Sequence, residues 1–105
     1  EEGAARDLIH IVLAYKEDAS THDDIIAIIQ NKEAGMFRAW AVVSLQYIGD
    51  LQDVGLLKQL EADDPFVIQR QDHFGPNIVD FYPVRSAARG AIVVIEGKYD
   101  ESASE

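Results

Sequence analysis

Apolar residues at Leu8, Ile9, Val12 and Leu13 make an i, i+1, i+4, i+5 stripe, which predicts an amphipathic helix over Ala4–Tyr15. The polar run KEDASTHDD then breaks the pattern. Within it Thr21 stands three residues before Asp24, the spacing at which an N-cap hydroxyl and an N3 carboxylate satisfy the free amide protons of a starting helix. A second helix is therefore expected from about His22 to Asn31, burying Ile25, Ile26, Ile28 and Ile29, although β-branched residues also suit strands. A third, from about Glu33 to Ile48, repeats Ala41, Leu45 and Ile48 on one face. Gly49 follows where a left-handed C-terminal residue belongs, and glycine adopts that conformation without steric cost. Asp50 is placed to cap a fourth helix, Gln52–Ala62, whose stripe is Val54, Leu57 and Leu60, widened by Leu56. Asp64-Pro65 supplies a turn.

The period then changes. Phe66–Gln71 and Ile78–Tyr82 are rich in β-branched and aromatic residues, and Asp72–Asn77 between them ends in Gly-Pro-Asn. This predicts a β-hairpin at about residues 66–82 with a loop of five or six residues. An isolated two-stranded ribbon is marginal in water, so one of its faces is expected to lie against the helices. Pro83 ends the second strand and opens a last helix, Val84–Glu96, with Gly97 at its C-terminus.

Two of these helices are nearly the same sentence. FRAWAVVSLQYIGD begins at Phe37 and VRSAARGAIVVIEG begins at Val84. Superposing Arg38 on Arg85 matches Ala41 with Ala88, Leu45 with Ile92 and Ile48 with Ile95. A helical pair of this kind cannot bury its apolar face alone, so such units stack. The stretch from Arg38 to Pro65, with its Arg-x-x-Ala, its leucine, Gly49-Asp50, the leucines of the next helix and Asp64-Pro65, resembles one HEAT repeat. Tyr82–Ala88 resembles the opening of another. The resemblance covers about Arg38 to Gly97 and reaches the first thirty residues only loosely. It implies a mainly all-α fold, a short right-handed α-solenoid of HEAT-like helical hairpins. The chain departs from the family pattern in two ways: a β-hairpin interrupts the link between repeats, and the last repeat has only its first helix. The expected organisation is a single domain over residues 1–97 and a flexible acidic tail over 98–105.

Composition narrows the functional classes. With 105 residues, the chain can bury about 60–65% of its unfolded surface in one core. Apolar runs reach five residues, as in Ala91–Ile95, far short of the roughly 20 that span a bilayer, so no membrane insertion is expected. The absence of cysteine excludes disulfides and thiolate chemistry and leaves the compartment open. A soluble chain is expected, either cytoplasmic or exported after removal of a signal segment. Nineteen acids against nine bases give a net charge of −10, which repels phosphate backbones; nucleic acid is not an expected partner, whereas a basic protein would be steered in.

Candidate chemistry is sparse. Neither a phosphate-binding glycine loop nor a Gly-x-Ser-x-Gly elbow is present. His22-Asp23-Asp24 has ligand-type residues, but neighbours on a helix point about 100° apart and do not converge; acids there suit the helix dipole. His10, inside an apolar run, is expected to be a partly buried helix residue. No catalytic residue, metal site or cofactor is assigned. Arg38 and Arg85 are read either as anion contacts or as structural arginines bonded to an acid near the repeat junction, with Asp50, Asp63 and Asp64 as the candidates. Trp40 is read either as an exposed anchor or as a packing residue. The hairpin loop, with Asp72, His73, Phe74 and Asn77, is the first place to seek specificity. The family implies a non-enzymatic protein-interaction module; the alternatives are an accessory subunit of a lyase or protein-modifying enzyme and a structural piece of a longer repeat array. Because Ala87, Ala88, Ala91, Ile92, Val94 and Ile95 nearly encircle the last helix, the hairpin is expected to shield one side of it and weak self-association to use the rest.

Overall fold

The computed structural model describes residues 2–72 and 74–99. Among these residues, five α-helices and one two-stranded antiparallel sheet follow in the order α1 (Glu2–Tyr15), α2 (His22–Gln30), α3 (Met36–Ile48), α4 (Val54–Asp63), β1 (Ile68–Gln71), β2 (Ile78–Phe81) and α5 (Pro83–Lys98). Short 3-10 turns at Ala19–Thr21, Lys32–Ala34 and Leu51–Asp53 lead into α2, α3 and α4. α3 is the central element: it packs on α1, α2 and α5, and α4 completes the core against α5. Ile25 and Ile29 of α2, Val42 and Leu45 of α3, Leu57 of α4, and Val84 and Ile95 of α5 are almost wholly buried. The matched pairs Ala41/Ala88 and Leu45/Ile92 all face this core, so the repeated spelling encodes a repeated packing position.

Several local expectations are corrected. The apolar stripe of α1 is turned outward: Leu8, Ile9 and Val12 are exposed and Leu13 is half-buried, while Ile11 and Ala14 enter the core. The buried face is the one carrying alanine, which lets neighbouring helix axes approach. Thr21 makes no side-chain cap; its hydroxyl donates to the Asp18 carbonyl at 2.9 Å, and Asp18 caps the preceding turn by accepting from the Ser20 amide at 3.1 Å. The helix expected from Glu33 breaks at Gly35, whose φ of +60° is a left-handed-region value, so α3 begins one residue later. Gly49 has extended backbone, φ −81° and ψ 167°, and is not a left-handed terminator. Its missing side chain matters for space instead: a Cβ there would stand 2.8 Å from the Leu45 carbonyl oxygen and 3.1 Å from Ile95 Cδ1. Gly97 lies inside α5, which continues to Lys98. Of the expected acidic tail, residues 100–105 lie outside the described residues.

The hairpin forms with Ile68 paired to Phe81 and Gln71 to Ile78. It does not lie against the helices as expected; neither strand makes an extended contact with any helix. Only Ile68 and Phe81, at its base, are half-buried. The Arg70 guanidinium sits 4.0 Å over the Phe81 ring, so part of that ring is covered from within the ribbon. The two sides of α5 are covered by α3 and α4, and the hairpin meets that helix only near its start.

Candidate functional site

Arg38 and Arg85, the corresponding arginines of the two copies, converge on one residue. Arg38 is held in α3 with 4% exposure. Its Nη1 donates to Asp64 Oδ1 at 3.1 Å, its Nη2 donates to Oδ2, and its Nε donates to the Ile29 carbonyl at 2.7 Å. Arg85 donates from Nε to the Asp64 main-chain carbonyl at 2.7 Å and stacks 3.9 Å over the Tyr82 ring. Asp64 thus uses its side chain on one arginine and its backbone on the other, and its Oδ1 also accepts the Phe66 amide at 3.0 Å. Burial alone would raise its pKa, but Arg38 and the Phe66 amide hold the carboxyl below its usual range. Of the three acids considered from the sequence, Asp64 is therefore the partner. These two arginines tie α2, α3, α4 and α5 together; the donors of Arg38 point inward, whereas Arg85 is half-buried and also borders solvent.

The hairpin presents the opposite character. Asp72 and Asn77 close its loop, with the Asp72 amide donating to the Asn77 carbonyl at 2.7 Å, while Asp72 Oδ1 accepts the Phe74 amide at 3.3 Å. This aspartate-anchored turn carries Phe74 at the tip, 96% exposed. Ile78 and Val79 are also exposed on β2. His73 lies outside the described residues. Beneath the arm, a shallow cleft of about 290 Å³ is lined by Asp80, Phe81, Tyr82, Arg85, Ser86 and Arg89. Arg89 is paired there with Glu61 at 3.0 Å.

Trp40 combines both readings made from the sequence. Its ring packs edge-on against Phe37 with centroids 5.2 Å apart, yet 44% of the residue stays exposed. It stands on the outer side of α3, two helical turns before the half-exposed Tyr47, whose ring lies 5.3 Å from that of Tyr15 on α1. Trp40 and the hairpin loop belong to separate elements, α3 and the turn between β1 and β2.

Sequence reasoning missed one polar junction. His22 Nε2 lies 2.9 and 3.0 Å from the two carboxylate oxygens of Asp53, and Nδ1 faces Asp23 Oδ1 at 3.3 Å. Asp53 in turn accepts the Asp50 amide at 3.0 Å, and Asp50 accepts the Gln52 amide at 2.9 Å. The Asp-x-x-Asp spacing of Asp50 and Asp53 signals their reciprocal helix cap, though not the histidine that joins it. His10 is half-buried as expected and lies 3.5 Å from Asp24. Among the described residues no group of three histidines or carboxylates is arranged to hold a metal ion, and no helix is long and apolar enough to cross a membrane. No protein-family model, curated protein or solved structure matches the chain.

Proposed function

We propose that the chain is a non-enzymatic protein-interaction module built of HEAT-like helical pairs, with the β1–β2 hairpin as its recognition arm. One observation carries this reading: an arm standing off the helical body exposes Phe74, Ile78 and Val79 to solvent. Apolar side chains exposed on a protruding arm are surface that a partner can bury. The net charge of −10 favours a partner with basic residues around its apolar contact. The HEAT-like part of the reading is supported by the equivalent core positions of the two arginine-led helices and by the shared Asp64 junction.

A second reading, a unit of a longer repeat array, is favoured by the outward stripe Leu8, Ile9 and Val12 on α1, which suits a further stacked helix. Parallel affinity capture with the native chain and a Phe74→Ser/Ile78→Ser double variant tests the first. Binders retained by the native chain and lost with the variant, at unchanged circular dichroism and melting, are expected. Identical binders in both would overturn the assignment of the arm.

A further inference from the structure

Two carboxylates are buried among the described residues, Asp53 and Asp64, and they bracket α4. At the end of the helix, Asp64 meets a guanidinium, whose charge is permanent. At its start, Asp53 meets an imidazole, whose charge depends on pH. Among the described residues His22 is the one cationic group within ion-pair distance of Asp53. We infer that the His22–Asp53 junction is a pH-dependent latch fastening the start of α4 to the start of α2.

The geometry of the ring explains why protonation matters. Both nitrogens face carboxylates, Asp53 on one side and Asp23 on the other. Imidazolium donates at both; the neutral ring has a single N–H and turns a lone pair toward one of the two carboxylates. Further charged groups stand on the same two turns. Asp24 lies on the same first turn of α2 with His10 of α1 against it, and Asp50 precedes Asp53 in the turn. The carboxylates that act on the ring are Asp53 and Asp23, and both favour its protonated form. Burial alone would lower the His22 pKa, but hydrogen bonds to Asp53 and Asp23 outweigh it and leave the pKa above the ordinary 6.5.

A group whose folded pKa is raised contributes stability that is fully present below its unfolded pKa and is lost as pH rises through the folded value. The latch is therefore closed in mildly acidic solution and loosens on the alkaline side of the His22 midpoint. Loosening has a route into the core. A Cβ on Gly49 would meet Asp53 Oδ2 at 3.0 Å and Ile95 Cδ1 at 3.1 Å, so the turn lies close to both the carboxylate and α5.

Nuclear magnetic resonance of the full chain between pH 5.5 and 8.5 tests the latch through the His22 ring shifts and the exchange protection of the Asp50 and Gln52 amides. The expected His22 midpoint lies above 6.5. Asp50 protection, corrected for intrinsic exchange, should fall as pH passes that midpoint, by up to about tenfold per unit of upward shift. The Phe66 amide, held by Asp64, should not follow it. His22→Gln should abolish the pH response, and Asp53→Asn should lower the His22 midpoint. A midpoint at or below 6.5, flat Asp50 protection, or an unchanged response in His22→Gln would overturn the inference.

Discussion

Arg38 spends its guanidinium on two elements at once, the Asp64 carboxylate and the Ile29 carbonyl, at 4% exposure. Truncating it would leave a buried carboxylate without its cation, a mechanism that typically costs about 3–5 kcal/mol. Arg38→Ala should therefore move the denaturation midpoint far more than Arg89→Ala, whose ion pair with Glu61 is exposed. Equal shifts would mean that the Asp64 junction does not hold the core. Because the Asp64 pKa is lowered in the fold, its contribution is present above the unfolded value near 3.8 and is lost as pH falls through the folded one. An acid-unfolding limb that Arg38→Ala moves to higher pH is expected. The sequence made both arginines legible because each opens a copy of the same helix. It left open which acid serves them, since Asp50, Asp63 and Asp64 are equally plausible by spacing. The His22–Asp53 bond joins residues 31 apart, and no local pattern connects them.

At the scale of elements, periodicity located all five helices and the hairpin but did not orient α1. That helix is apolar on two sides, and a moment points to the bulkier side, Leu8, Ile9 and Val12, while the buried side is Ile11 and Ala14. Ile11→Ala should cost about 2–5 kcal/mol through lost burial and a cavity. Leu8→Ala, on the exposed side, should stay within about 0.5 kcal/mol. Chemical denaturation of the two variants decides between the orientations; the reverse order would restore the reading made from the stripe. The hairpin was legible from its turn residues, but its detachment from the helices was not. Arg70 over Phe81 supplies cover that a pattern of apolar residues does not reveal.

Exposed apolar surface among the described residues includes the arm with Phe74 and the helical surfaces carrying Leu8, Trp40 and Val93. On α5 the open apolar surface is reduced to Val93 and Val94, because α3 and α4 cover the rest. A patch of two valines is small against the roughly 800 Å² per partner of a stable interface, and a charge of −10 repels a second copy. Self-association through α5 should accordingly be weak, grow with salt as repulsion is screened, and disappear in Val94→Glu. Sedimentation across salt and protein concentration measures it, and a salt-independent dimer would contradict this account.

The central claim, that the hairpin is the arm that meets a partner, is tested most directly by site-specific photo-crosslinking in cell extract. A benzophenone amino acid replaces Phe74 in one variant and Gln52, an exposed residue in the turn before α4, in another. The account predicts discrete, saturable protein adducts from position 74, competed by excess unlabelled chain, and none of these from position 52. The same adducts from both positions, or none from position 74, would contradict it.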